Sequence, residues 1–167
     1  MLRFICDTRE KEGHTWPPPK HREMVRACLP FGDYAIEGFE SRACVERKGE
    51  LDLIQSLGVD FERFSSRLAE MGGLELACIV AETSGERLMQ RAYIPKPLPF
   101  GRTDPKRSAW VRSLERIKPT AIFERMAMVY AHYGIATFLA GHSPTRASTF
   151  AFNILTMWHD REKAKRP

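Results

Sequence analysis

Two carboxylates and an ammonium occur at a spacing that suits phosphodiester hydrolysis: Asp33 in Gly32-Asp33-Tyr34, then Glu46 and Lys48 in Val45-Glu46-Arg47-Lys48, thirteen residues after Asp33. Such chemistry needs a hard cation to polarise a phosphoryl oxygen and activate water. Magnesium is usually held by one or two carboxylates while it keeps waters and substrate oxygens. Asp33 and Glu46 suit that role. If the second stretch is a strand, residues i and i+2 share a face, so Lys48 projects beside Glu46. There an ammonium would orient the water and offset developing phosphoryl charge. Arg47 would face the other way and pair with a carboxylate or a flanking phosphate, while its backbone carbonyl could serve as a further metal ligand. Asp7 and Glu10 close the first apolar run, in Cys6-Asp7-Thr8-Arg9-Glu10, and would add negative charge beside the metal if that run neighbours the hairpin. Asp52 falls near the start of a helix. An Asp followed by Glu-x-Lys also arises by chance on solvated hairpins, so the setting matters: here the acidic group adjoins apolar strand runs, and a helix opens directly behind it.

The elements that must position these residues are legible in the apolar pattern. Phe4-Ile5-Cys6, Tyr34-Ala35-Ile36 and Arg42-Ala43-Cys44-Val45 are short runs bounded by turn signals and read as strands of one sheet. From Leu51 to Met71, Leu53, Ile54, Leu57, Phe61, Phe64 and Leu68 recur at three- and four-residue steps, which predicts helix, with Gly58 dividing it in two. Leu76-Ala77-Cys78-Ile79-Val80 is a continuous apolar run of the length of a strand buried on both faces. The last third reads as helix from Pro119 to Tyr133, strand from Ile135 to Leu139, and helix from Pro144 to Trp158 with Ser143 as its N-cap. The polar tail from Asp160 onward is expected to fray. This alternation implies an α/β sandwich.

Composition bounds the rest. A chain of 167 residues with 43% apolar content fits one domain with a single core. No apolar run approaches the roughly 18 residues of a membrane span, and the N-terminus opens directly into a strand, so a cytoplasmic protein is expected, nucleoid-associated if bacterial. The cysteines Cys6, Cys28, Cys44 and Cys78 are widely spaced and read as reduced thiols rather than disulfides or a zinc site. His14, His21, His132, His142 and His159 show no ligand spacing. A net charge of +5 and a pI near 9.2 point weakly to a polyanionic partner. The charge is concentrated: Arg91, Lys96, Arg102, Lys106, Arg107, Arg112, Arg116 and Lys118 face only Asp104 and Glu115 within one stretch. Pro95, Pro97, Pro99, Pro105 and Pro119 punctuate it, so residues about 91–118 read as a basic, Pro-rich insertion with room for a short helix from Ser108 to Ile117. Arg102, Lys106, Arg107 and Arg112 are candidate DNA contacts there, and Tyr93, Phe100 and Trp110 could stack on bases.

The run Asp7-x-Arg9-Glu10, Gly32-Asp33-Tyr34, Val45-Glu46-Arg47-Lys48-x-x-x-Asp52-Leu53-Ile54-x-Ser56-Leu57 resembles the nuclease domain of XPF-type structure-specific endonucleases, whose signature is GD…ERKxxxD. The resemblance continues through Arg63-Phe64, the strand from Leu76 to Glu82 and the closing Ser143-Pro144 helix with Thr145 and Thr149. It implies a restriction-endonuclease-like fold, a mixed β-sheet flanked by helices on both faces. It also implies a Mg2+- or Mn2+-dependent endonuclease that cuts DNA near branches, flaps or forks in repair or recombination. Carried over by position, Asp33 and Glu46 resemble the metal ligands, Lys48 the catalytic lysine, Arg47 and Asp52 the flanking motif residues, and Asp7 and Glu10 the acidic pair bordering the site. Where the family often has Gly-Arg and then Gln in the following helix, this chain has Glu62-Arg63 and Arg67, which leaves Arg63 and Arg67 as DNA-contact candidates. A tandem helix-hairpin-helix module common in the family does not follow before Pro167. The family's C-terminal helical edge often dimerises, and Phe150, Phe152, Ile154, Leu155 and Trp158 exceed one narrow core-facing stripe, so a homodimer is an expectation. Two alternatives stay open. One is a non-catalytic DNA-binding subunit or scaffold of a nuclease complex. The other is a metal-dependent phosphodiesterase acting on RNA or nucleotides.

Overall fold

A computed structural model describes residues 2–10, 22–91 and 105–165. Six strands form one sheet: β1 (Arg3–Asp7), β2 (Glu23–Ala27), β3 (Tyr34–Ile36), β4 (Ala43–Lys48), β5 (Leu76–Ala81) and β6 (Ala136–Leu139). Their order is β2-β1-β3-β4-β5-β6. The β1–β3 and β3–β4 pairs are antiparallel, and β1–β2, β4–β5 and β5–β6 are parallel, which makes the sheet mixed. The parallel pairs need crossovers. The β4–β5 crossover is α1 (Glu50–Leu57) with α2 (Phe61–Met71), and the β5–β6 crossover contains α3 (Gly85–Met89), α4 (Pro105–Arg116) and α5 (Pro119–Tyr133). The long helix α6 (Pro144–Ala164) closes the chain's other layer.

Alternation along the strands divides the side chains between two cores. On one face, Cys44, Ile79 and Ala81 pack with Leu53, Ile54, Leu57, Phe64 and Leu68 of α1 and α2 and with Ile122 and Val129 of α5. On the other, Phe4, Tyr34, Val45, Cys78 and Val80 pack with Ala151, Phe152, Leu155 and Trp158 of α6. Phe152 anchors this second core between Phe4 (centroids 4.7 Å apart) and Tyr34 (5.5 Å). Burying a side chain of this size contributes about 1.5–3 kcal/mol. The expected architecture, a mixed sheet with helices on both faces, is therefore the observed one.

Gly58 divides α1 from α2 for a steric reason. A Cβ there would run into the Ile54 carbonyl and Ile117, and the Arg125 guanidinium takes up the freed Leu57 and Gly58 carbonyls. Ser143 caps α6, accepting from the Arg146 N–H at 3.4 Å, with Pro144 in the first turn.

Three elements depart from the sequence reading. The edge strand β2 was not anticipated; only Glu23–Ala27 pairing on β1 defines it, and its half-exposed pattern carries little periodic signal. Within the basic stretch, α4 starts at Pro105 and is longer than the Ser108–Ile117 helix anticipated, because a first-turn proline sacrifices no helical hydrogen bond and Leu114 is buried in the α1–α2 core. The described part of the tail from Asp160 does not fray: α6 runs on to Ala164, and buried Glu162 accepts from Arg42 (2.9 Å) and Lys165 (2.7 Å). Of the stacking candidates, Tyr93 and Phe100 lie outside the described residues, as does the Trp110 side chain. No helix among the described residues is long and apolar enough to cross a membrane.

Candidate active site

Asp33 is placed by the residue before it. Gly32 has φ +65°, and a Cβ there would lie 3.0 Å from the Val45 carbonyl and 3.1 Å from the Cys44 side chain, so only glycine lets the chain pass this close to β4. The next residue is then pinned on both sides. The Asp33 N–H donates to the Val45 carbonyl (2.9 Å) and its carbonyl accepts from the Asp7 N–H (2.8 Å). Its carboxylate reaches over the end of β4 and accepts from the Arg47 N–H through Oδ2 at 2.8 Å. Because N–H and C=O of one strand residue face the same neighbour, the Arg47 carbonyl also faces this Asp33 edge.

On β4, Glu46 and Lys48 follow Cys44 onto the α1–α2 face, while Arg47 follows Val45 onto the other. Glu46 is only 2% exposed. Its Oε1 sits 2.8 Å from Lys48 Nζ, and the ammonium lies 4.9 Å from the Phe64 ring centroid. Its Oε2 is buried and accepts no hydrogen bond, with Arg67 Nη2 at 3.5 Å as its nearest ion-pair partner. Burial, and then repulsion from Glu46, push the Asp33 carboxyl up to about 7; the Arg47 N–H and the Lys48 charge work against that shift, and Glu10 adds to it. A half-buried and a buried carboxylate thus repel each other at the end of β4, and one oxygen of the buried one is left without a hydrogen bond.

The remaining candidates divide. Arg47 is locked on the far face, donating through Nε to Glu82 (2.8 Å) and through Nη1 to Glu10 (2.7 Å), so Glu10 meets the cluster through this guanidinium. Asp7 is fully buried, but its carboxylate is committed to the Arg9 N–H (2.6 Å), Arg9 Nε and Nη2 (both 2.8 Å) and the Leu29 N–H (2.8 Å). Burial alone would raise the Asp7 carboxyl, and these hydrogen bonds outweigh it and hold it down at about 2. Asp7 therefore shapes the loop entering the site, its carboxylate charge answered by Arg9 and Leu29. Asp52, in the first turn of α1, lines a cavity of about 220 Å³ with Lys48, Gln55, Ser56, Asp60, Arg63, Phe64 and Arg67. Arg63 and Arg67 lie one turn apart on α2, with side chains 85% and 54% exposed. Arg112 is exposed on α4, and no contact among the described residues joins it to the carboxylates. Lys106 and Arg107 belong to α4 with their side chains outside the described residues, and Arg102 lies outside them altogether.

Glu82 is the residue that sequence reasoning left without a role. It follows the β5 apolar run directly, its N–H donates to the Lys48 carbonyl at 2.8 Å, and its carboxylate holds Arg47. Its place immediately after a buried strand, beside a second strand ending in charge, was the available signal. Cys6, Cys44 and Cys78 are buried and Cys28 is exposed, none of them in a disulfide among the described residues; burial pushes Cys78 up to about 12. Among the described residues no group of three or more His, Cys, Asp or Glu side chains gathers as a metal cage.

No family model matches the chain, and no curated protein matches it. Among solved structures the chain is similar to XPF from Aeropyrum pernix, with a TM-score of 0.63 at 18% identity over 98% of this chain and 68% of that one. It is also similar to XPF from Aeropyrum pernix in complex with DNA, with a TM-score of 0.57 at 23% identity over 96% of this chain and 66% of that one. The chain spans about two thirds of the length of those solved chains, and at these identities the likeness is one of fold.

Proposed function

We propose that this chain is a divalent-metal-dependent DNA endonuclease acting on branched or partly single-stranded DNA, in repair or recombination. One observation supports this most: the half-buried Asp33 carboxyl is raised by repulsion from buried Glu46, whose Oε2 lacks any hydrogen bond. An uncompensated carboxylate pair is costly unless a further positive charge joins it. Hard oxygen donors, two carboxylates and the Arg47 carbonyl on one edge, match what Mg2+ or Mn2+ takes when waters and substrate oxygens complete the shell. Such an ion, when bound, polarises the phosphoryl oxygen and lowers the pKa of a bound water. Lys48, held by Glu46 and Phe64, presents a fixed cation to the attacking water and the developing phosphoryl charge. Arg47, clamped by Glu10 and Glu82, holds the end of β4 so that its N–H keeps Asp33 oriented. Arg63 and Arg67 offer guanidinium groups to the phosphates of the strand entering beside the cluster. The fold shared with an XPF that was solved in complex with DNA supports nucleic acid as the partner.

Cleavage of labelled fork, 3′-flap, linear duplex and single-stranded DNA, and of RNA, with Mg2+, Mn2+ or EDTA, tests the reading. Metal-dependent nicking that Glu46→Gln abolishes is the expected result. Binding without cleavage would favour the scaffold alternative, and preference for RNA the phosphodiesterase one.

A homodimer through the C-terminal edge belongs to the same proposal, on altered grounds. Phe152, Leu155 and Trp158 are spent on the α6 core, and Ile154 is half-buried. What remains outside is Phe150 (40% exposed) edge-to-face with Phe138 (36%) of the edge strand β6 at 5.1 Å, with Met157 (72%) one heptad further along the same helix face. Phe150→Glu should convert a dimer to a monomer in sedimentation analysis; an unchanged mass would remove the homodimer from the proposal.

A further inference from the structure

We infer that Arg67 is a cation-responsive latch: it rests on Glu46 while no divalent cation is bound, and cation binding releases it to grip a phosphate of the incoming strand. The inference rests on the reading of Asp33 and Glu46 as a divalent-cation site.

Glu46 meets two cations that differ in kind. Lys48 is 12% exposed, 2.8 Å from Oε1 and held over Phe64. Arg67 is 54% exposed and stands 3.5 Å from Oε2, well beyond the 2.7–2.9 Å of a charge-assisted hydrogen bond. The first is fixed by packing; the second is a loose surface charge placed over a buried oxygen that accepts no hydrogen bond. A cation taking that oxygen competes with the guanidinium for the same lone pairs and repels it at close range. Arg47, the neighbouring guanidinium, cannot respond in this way because Glu10 and Glu82 hold it.

Once released, Arg67 has room on either side. It lines the cavity of about 220 Å³ containing Lys48 and Arg63, and also a second of about 260 Å³ containing Arg9, Pro30, Phe31 and Gly32. It therefore borders both hollows, one lined by Lys48, the neighbour of Glu46, and the other by Gly32, the residue before Asp33. Arg63 lies one helical turn before it in the first hollow and Arg9 lines the second, so Arg67 stands between two further guanidinium groups. Its planar fork then suits bidentate contact with a phosphate. The device makes tight strand binding conditional on the cation that cleavage needs.

The test measures binding, not turnover. Mn2+ affinity is determined by titration calorimetry for the wild type, Arg67→Met and Glu46→Gln. The affinity for fluorescent fork DNA is then compared in EDTA and in Ca2+, with gels confirming that the DNA stays uncut. Removing the competing charge should tighten Mn2+ binding in Arg67→Met by about fivefold, the size of one unit charge at about 4 Å in a watery setting. The same variant should match the wild type on DNA in EDTA and bind about tenfold more weakly in Ca2+. If the wild type binds Mn2+ through Glu46 but Arg67→Met binds it no tighter, the latch is wrong and the cation site stands. An equal loss of DNA affinity in EDTA and Ca2+ makes Arg67 a static contact, and no loss in either means that the freed guanidinium goes elsewhere, Glu70 being nearby on α2; both overturn the proposal. If the wild type shows no Mn2+ binding that Glu46→Gln removes, the underlying cation site fails and the latch with it.

Discussion

Strand β4 carries a charged cluster at each end, and the two handle charge in opposite ways. Just before its first residue, Arg42 donates through Nη2 to Glu75 (2.7 Å) and to Glu162 (2.9 Å), while Lys165 donates to Glu162 at 2.7 Å. Two cations answer two carboxylates through direct hydrogen bonds, and both carboxyls fall below their usual range: Arg42 is the main cause for Glu75, Lys165 for Glu162. At the far end Asp33 and Glu46 repel each other, Lys48 satisfies one oxygen, and Arg67 leaves another unbonded. The first cluster is complete as it stands, and the second is complete only with a further positive charge. What marks the proposed site is incompleteness, not the number of charges gathered.

The largest effect that would sharpen this contrast is on cleavage. Glu46→Gln, Asp33→Asn and Lys48→Ala should each lower the cleavage rate by about 100- to 1,000-fold, the scale seen when one preorganised charge-stabilising group is removed. Asp33→Asn should at the same time raise the melting temperature at pH 8 in EDTA, because it removes a half-buried charge that Glu46 repels. Calorimetry beside a gel assay reads both. Retained cleavage, or a stability loss in Asp33→Asn, would make the far end an ordinary ion cluster like the near one.

The contrast also has a pH signature. Asp7 behaves as a satisfied carboxylate although it borders the site, with its folded value held at about 2, below the unfolded one. Its contribution is therefore present above about pH 4 and is lost as pH falls toward 2, an effect of about 2 kcal/mol. Asp7→Asn should shift acid unfolding by that amount. Asp33 has the reverse sign. Its folded value is raised to about 7, so without a cation the folded state binds the proton more tightly, and stability falls as pH rises from about 4 through 7. A cation must displace that proton, so Mn2+ affinity should drop by up to about tenfold per pH unit below 7. An affinity that is flat from pH 5.5 to 8 would show that Asp33 does not ligate the ion.

Much of this was legible in the sequence because it was periodic or local. The α1–α2 break at Gly58, the buried β5 run and the Ser143-Pro144 start of α6 each carry their own signal, and the structure has them. The shared face of Glu46 and Lys48 follows from strand alternation alone. The pairing of Arg47 with a carboxylate was also readable as a type of contact, but not its partners: Glu10 and Glu82 are 37 and 35 residues away in sequence and meet it through sheet topology. Asp7 shows the converse. Its position at the end of β1 suggested charge beside the metal, yet the hydrogen bonds to Arg9 and Leu29 that redirect it depend on a loop path that no pattern encodes. The β2 edge strand, and the ordering of the last turns of α6 by Arg42, were hidden for the same reason.

Arg42→Ala is the smallest change that tests the comparison, and it tests the other side. Arg42 is 30% exposed at its side chain and also covers the rings of Phe39 and Trp158, with 5.5 and 5.3 Å to their centroids. Its loss removes packing from the α6 core as well as the partner of Glu75 and Glu162, so the melting temperature should fall by roughly a few degrees. Lys165 still answers Glu162, which limits the damage. Cleavage per folded molecule should be unchanged, since β4 is paired on both sides between its two ends and transmits no loss of charge balance along its length. A parallel fall in cleavage, after correction for the folded fraction, would mean that α6 docking sets the position of Glu46 and Lys48. The two ends of β4 would then be one machine rather than a staple and a site.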